Sequence, residues 1–279
     1  MRTLVHLSDL HFGRVNPALL EPLAARVHAV RPDVVVVSGD LTQRARSAQF
    51  AQARAWLDTL PGPQIVVPGN HDISLFNLYR RFAEPLTRYR RHITDELTPV
   101  YEDEEIAVIG INTARSLTWK DGRINREQVG QIRACFERLA PEVVRVVVTH
   151  HPFELPDGHP NEGDLVDRAA MAMEAFAECG VDLLLSGHLH ASLASSTAAR
   201  YPFDSFAAIV VQAGTATSTR ERGEVNSFNV LHIEPDRVDV ERYGWDVLQR
   251  EFSLLNTETF MRSANVWVPH SDGLLAAGI

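Results

Sequence analysis

Short apolar runs recur along the first three quarters of the chain: Leu4 to Leu7, Val34 to Val37, Ile65 to Val67, Ile106 to Ile111, Val143 to Val148, Leu183 to Leu185 and Ile209 to Val211. They are continuous rather than alternating with polar residues, as expected of strands covered on both faces. Between them the apolar spacing becomes helical. In NPALLEPLAARVHAV, Asn16 is placed to cap a helix that starts at Pro17, and Leu20, Leu23 and Val27 share a face. AQFAQARAWLDTL groups Phe50, Ala53, Trp56, Leu57 and Leu60 and stops at Pro61-Gly62; NREQVGQIRACFERL aligns Val129, Ile132, Phe136 and Leu139; DRAAMAMEAFAECG ends on Gly180, a natural C-terminal cap. Strands alternating with helices predict an α/β fold, and periodicity alone suggests one doubly wound sheet. From residue 205 onward FAAIVVQAGTAT, SFNVLHIEP and RVDVERYGW read as strands on short loops. We expect one domain over residues 1–252. Residues 253–279 read as a less regular C-terminal extension whose Phe260, Val266 and Trp267 pack on the domain or on a second copy in a homodimer.

The polar residues that follow the strands are not random. The first run leads into Ser8-Asp9-Leu10-His11 and the second into Ser38-Gly39-Asp40. The third leads into Gly69-Asn70-His71-Asp72, the fifth into Thr149-His150-His151 and the sixth into Ser186-Gly187-His188-Leu189-His190. Ligands of α/β sheets bind at the carboxyl ends of strands, so these groups are candidates for one site. The set offers carboxylates, an amide oxygen and imidazoles but no thiolate, which suits Mn²⁺, Fe, Zn²⁺ or Co²⁺ rather than a soft metal. DxH and HxH would place donors on one side of an extended segment. Gly39, Gly69 and Gly187 would let the backbone turn or be approached just before a donor. Asp9, His11, Asp40, Asn70, His150, His188 and His190 are too many donors for one ion and fit two ions sharing a bridge.

Composition narrows the reading. With 45% hydrophobic and 23% charged residues the chain is ordinary for a globular protein. Its net charge of -9 disfavours stable binding to nucleic acid or to an anionic membrane. Cys135 and Cys179 form no CxxC, as expected in a reducing compartment, and read as inert thiols. MRTLVHLSDLHFG is too polar for a signal peptide, and no apolar run has transmembrane length, so the expected location is the cytoplasm.

The motifs DLH (9–11), GD (39–40), GNHD (69–72), H (150) and GHLH (187–190) stand in the order found in calcineurin-like metallophosphoesterases, which this chain resembles over about two thirds of its length. The resemblance implies two packed mixed β-sheets flanked by helices, a four-layer αββα sandwich, rather than a single sheet. It implies that Asp9, His11 and His190 hold one metal, that Asn70, His150 and His188 hold the second, and that Asp40 bridges. His71 would lie close to the ions without ligating them and act as general acid or phosphate-steering group, with Asp72 orienting its ring. His151 is expected to support the ligands rather than join them. Arg14 and Asn112 could touch substrate, or could serve as a solvated loop residue and a turn residue. Cluster EDEE, 102 to 105, reads as a solvated loop.

Motif context is most similar to bacterial class III cyclic-nucleotide phosphodiesterases. It implies a dinuclear metal-dependent hydrolase acting on a small phosphodiester, with 3′,5′-cyclic AMP the leading substrate. Three other readings remain open. A hydrolase of nucleotide-linked pyrophosphates in lipid precursors would use an apolar groove with a basic entrance, and RRFAEPLTRYRRH (80 to 92) has that character. A nuclease is disfavoured by the acidic balance. A non-catalytic scaffold is disfavoured by the retention of every donor and of His71.

Overall fold

The structure is a computed structural model, and residues 1–74, 84–116, 121–219 and 223–270 are described. Two mixed sheets organise it. The first has seven strands: β1 (Arg2–Leu7), β2 (Val34–Val37), β3 (Gln64–Val66), β10 (Ser227–Ile233), β11 (Arg237–Asp246), β12 (Glu251–Ser263) and β13 (Val266–His270), in the order β13-β12-β11-β10-β1-β2-β3. The second has six: β4 (Val100–Glu102), β5 (Ile106–Gly110), β6 (Val144–Val148), β7 (Leu183–Ser186), β8 (Leu193–Ser196) and β9 (Ile209–Gln212), in the order β4-β5-β6-β7-β9-β8. β1, β2 and β3 run parallel, as do β5, β6, β7 and β9. The carboxyl ends of β1, β2, β3, β6 and β7 carry the donor motifs.

The strand sequences explain the layering. Along β1 and β2, Leu4, Val34 and Val36 face the other sheet, whereas Val5, Leu7, Val35 and Val37 face helices. Both faces are apolar, so the strands read as unbroken runs. The inter-sheet layer adds Ile106, Val108, Val146, Leu183, Leu185 and Val211 from the second sheet. Helices α1 (Pro17–Val30) and α2 (Ser47–Leu57) cover the outside of the first sheet with Leu19, Leu23, Val27, Phe50 and Trp56. A short α3 (Thr87–His92) packs beside α2 and places Tyr89 in the same layer. Helices α4 (Arg126–Phe136) and α5 (Ala169–Cys179) cover the second sheet with Ile132, Phe136, Met173 and Phe176. The architecture is therefore a four-layer α/β/β/α sandwich, not the single doubly wound sheet that periodicity suggests. Period alone cannot distinguish one sheet covered by helices from two sheets that cover each other.

Local signals hold where they are local. The Asn16 side chain accepts from Ala18 N at 3.1 Å, and Gly180 ends α5 at φ 66°. The segment after Phe252 carries little periodicity, yet it forms the thirteen-residue β12 and then β13. Phe260 and Trp267 from these strands are buried between the sheets, and Trp267 Nε1 donates to Asp182 Oδ1 at 2.9 Å across them. Of the basic segment 80–92, residues 80–83 lie outside the described chain, as do residues 271–279 of the tail. Among the described residues no helix is long and apolar enough to cross a membrane.

Candidate metal centre

Each donor enters from a loop that leaves a strand at the shared edge of the two sheets. Asp9, His11, Asp40, His188 and His190 all have φ between 51° and 74°, in the left-handed region. The DxH and HxH donors thus converge through left-handed backbone on either side of a leucine, not through the extended segment that their spacing suggests. Such conformations cost about 1–3 kcal/mol each in non-glycine residues and persist where surrounding structure enforces them. The enforcement is visible. A Cβ on Gly69 would lie 2.1 Å from Asp40 Oδ1, and one on Gly187 would lie 1.8 Å from Ser8 Oγ. Only glycine permits these approaches.

The side chains assemble into two groups joined by one carboxylate. In the first, Asp9 Oδ1 lies 3.4 Å from His11 Nε2 and 3.3 Å from His190 Nε2, and the two imidazole nitrogens are 3.4 Å apart. In the second, Asn70 Oδ1 lies 3.1 Å from His150 Nε2 and 3.2 Å from His188 Nδ1, with those nitrogens 3.3 Å apart. Asp40 spans them: Oδ2 is 3.7 Å from His11 Nε2 and Oδ1 is 3.4 Å from His150 Nε2.

These spacings fit cations. Donors at about 2.1 Å from one ion stand roughly 3.0–3.5 Å from each other. His150 Nδ1 donates to Ser38 O at 2.8 Å, which turns Nε2 toward Asn70 Oδ1, where one shared ion would give both atoms a partner. Asp9 Oδ1 is buried without a hydrogen-bond partner while its Oδ2 accepts from Ser8 Oγ and from His188 N, at 2.7 and 3.1 Å. The His190 ring is held from behind by Thr215, with Nδ1 to Oγ1 at 2.7 Å. Burial alone would raise the carboxyl pKa of Asp9, but the imidazoles of His190, His11 and His150 outweigh it and hold Asp9 well below the usual range. For Asp40, likewise, burial is outweighed by His150, His71 and His11, and its pKa is lowered. Burial, helped by His150, pushes His188 down to about 4 and keeps the ring neutral, as a ligand requires.

His71 and Asp72 part company. His71 Nδ1 donates to Gln43 O at 2.9 Å, and its Nε2 lies 4.0 Å from Asp40 Oδ2. The Asp72 carboxylate instead accepts from Gly69 N, Leu41 N, Thr42 N and Thr42 Oγ1, at 2.9 to 3.1 Å. The expectation that Asp72 orients the His71 ring is therefore corrected: a backbone carbonyl does so. Asn70, His71 and Asp72 form a 3₁₀ turn, which sends successive side chains about a third of a circle apart. Burial and then the charge of Asp40 raise Asp72 to about 6 against the pull of its amide donors.

The remaining candidates surround these groups, and His151 stands with His150 and His188 as a third possible donor. His151 Nδ1 is 2.8 Å from Thr113 Oγ1, and its ring packs 4.9 Å from His150 and 4.6 Å from His188. Asn112 Oδ1 accepts from Ala114 N at 3.0 Å, closing a turn, and Arg14 is exposed. Within EDEE, Glu102 pairs with Arg138 and Asp103 with Arg2. Cys135 and Cys179 are free thiols. Sequence reasoning passed over Ser8, Ser38 and Thr215 as supports of the donors. Thr215 had a legible signal, since it follows β9 as the other donors follow their strands.

A model of the calcineurin-like phosphoesterase family matches residues 2–192. Among curated relatives, a glycerophosphodiester phosphodiesterase GpdQ of Enterobacter lignolyticus is 38% identical over 25% of this chain and 29% of its own. A cAMP/cGMP dual specificity phosphodiesterase of Mycobacterium tuberculosis is 25% identical over 84% of this chain and 77% of its own. The chain spans 29% and 57% of the length of the first two curated relatives it matches. Among solved structures, a purple acid phosphatase of yellow lupin, Lupinus luteus, superposes with a TM-score of 0.70 at 12% identity, covering 94% of this chain and 54% of that one.

Proposed function

The chain belongs to the calcineurin-like phosphoesterase family, and from that premise we propose that it is a dinuclear metal-dependent phosphodiesterase acting on small phosphodiesters, with 3′,5′-cyclic nucleotides such as cyclic AMP the leading substrates. The observation that carries this reading is Asp40, whose two oxygens face two separate groups of donors. Asp9, His11 and His190 would hold one ion and Asn70, His150 and His188 the other, with Asp40 shared between them. Bound divalent ions supply Lewis acidity at the phosphoryl oxygens and lower the pKa of water toward neutrality.

The chain's own residues do the rest. Asp9 and Asp40 bring two buried negative charges that keep the ions in place, and the imidazoles add donors without adding charge. The left-handed loops fix these donors before substrate arrives, so little reorganisation is needed as charge develops. His71 is anchored at Nδ1 by Gln43 O, so its Nε2 faces the centre. From there it carries a proton to the departing ester oxygen. The named activities of the Enterobacter and Mycobacterium relatives, both on phosphodiesters, support the diester as the substrate class. Nitrogen and oxygen donors without sulfur suit Mn²⁺, Fe, Zn²⁺ or Co²⁺.

The test is a panel assayed with Mn²⁺: cyclic AMP, a bis-aryl phosphate, an aryl monophosphate and a nucleotide-sugar pyrophosphate. We expect the diesters to be hydrolysed with higher kcat/KM than the monoester, and a monoester preference would overturn the assignment. In Asp40→Ala, elemental analysis should find the pair of ions lost. Two ions retained per chain would remove the bridge.

A further inference from the structure

A cavity of about 400 Å³ lies beside the metal centre, with Arg115, Asp121, Gly122, Arg123, Asp167 and Arg168 in its wall. The two sites adjoin at Gly122. Gly122 packs so tightly on His151 that a Cβ there would lie 2.2 Å from the ring, and that ring packs on His150 and His188. The cavity is thus one imidazole away from the donors of the second ion.

Its charge runs against the rest of the molecule. Among the described residues of its wall, three arginines meet two aspartates, in a chain of net charge -9. Arg123 is paired with Asp167 at 3.3 Å. Arg115, which is partly buried, has only neutral partners among the described residues: Asn112 O and Ala114 O each at 3.0 Å and Gln128 Oε1 at 2.7 Å. A guanidinium taken partly out of water without a carboxylate is costly, and Arg123 nearby adds repulsion. Helices α4 and α5 both begin at this wall, and α5 has no side-chain cap. Their positive ends add to the same field.

We propose that this cavity is an anion subsite, which receives a second acidic group, phosphate or carboxylate, carried by a phosphodiester whose scissile phosphorus sits at the metal centre. The inference rests on the phosphodiesterase reading and sets a selectivity within it. A cyclic nucleotide has one negative charge and places it at the ions. A diester with a further oxyanion on one arm fills both sites and gives Arg115 the acidic partner that the described residues do not supply.

The experiment compares three aryl diesters that share one leaving group, with the manganese-loaded enzyme. The second arm is neutral in one and ends in phosphate or in carboxylate in the others, which separates the two sources of the anion. We expect KM for at least one doubly charged diester to be about tenfold below that of the neutral-armed one, as a charge-assisted contact provides. That ratio should shrink as salt is raised. It should fall toward one in Arg115→Gln. Because Arg115 also ties down the turn at Asn112, the exposed Arg168→Ala is the second variant, expected to lower the ratio a few-fold. A merely structural Arg115 would alter all three substrates alike and leave the ratio unchanged. Equal KM values in the wild type, or a ratio that survives both substitutions, would overturn the subsite. Failure of the wild type to cleave any of the diesters would instead overturn the phosphodiesterase reading and this inference with it.

Discussion

His71 is the residue on which the proposed chemistry turns, because its Nε2 lies 4.0 Å from Asp40 Oδ2 while Gln43 O anchors the other side of its ring. In His71→Ala, turnover should drop about 10²–10⁴-fold, the usual scale for a lost general acid, while elemental analysis finds the metal content unchanged. Unaltered kinetics in the metal-loaded variant would remove the role. His6 makes a different prediction. It is fully buried beneath the centre with Nε2 2.9 Å from Ser38 Oγ, and burial pushes its pKa down from 6.5 to about 3 despite Asp9 nearby. A depressed folded value means that the unfolded chain takes up the proton first. This group therefore leaves stability unaffected above pH 6.5 and lowers it as pH falls from there toward about 3. Urea unfolding between pH 7.5 and 5 should show a slope that is shallower in His6→Gln, by up to about 1.4 kcal/mol per pH unit. An identical slope in the variant would mean that His6 titrates normally. At this scale the donor types were plain in the sequence. The direction in which Asp72 points was not, because it depends on the chain forming a 3₁₀ turn at that point.

At the scale of elements, strands β12 and β13 deserve the most weight. They look irregular in sequence because most of β12 is exposed and polar, with only Phe252 and Phe260 inside. β13 nevertheless contributes Trp267, which is 1% exposed and bonded to Asp182 from the opposite sheet. Trp267→Ala should cost about 3–5 kcal/mol, the range for an aromatic removed from a packed core. Denaturant unfolding checks it: a loss under 1 kcal/mol would mean that the terminal strands pack loosely. The helices and inner strands were legible since their signals are local. Asn16 caps α1 and the apolar stripe of α2 is buried as its spacing requires. Which strands share a sheet was not legible, because β1 takes β10 as one neighbour, with more than two hundred residues between partners such as Leu4 and Leu231.

For the whole molecule, the centre joins the two halves of the sandwich. Asp9 and Asp40 leave the first sheet and His150, His188 and His190 leave the second, so bound ions would bridge the sheets. Ions that bind the native state alone stabilise it by about 2.7 kcal/mol at a hundredfold excess over Kd. A chelator should therefore lower Tm by on the order of 5 °C, and Mn²⁺ should restore it. A calorimetric scan unaffected by either would show that the native protein does not hold ions here.

The sequence by itself determined the chemistry of the donors and their position after strands. Both follow from residue type and from runs of a few neighbours, which no distant contact can alter. Two packed sheets and a shared Asp40 were already implied by the order of the motifs, although not by periodicity; only the tertiary structure decided that the donors enter through left-handed turns and that Asp72 turns away. Those outcomes depend on pairs such as Asp9 and His188, which lie 179 positions apart and meet only when the sheets pack. The polar supports behind the donors, Ser8, Ser38 and Thr215, belong with them, since a hydroxyl or a carbonyl acquires its meaning from what folding brings against it.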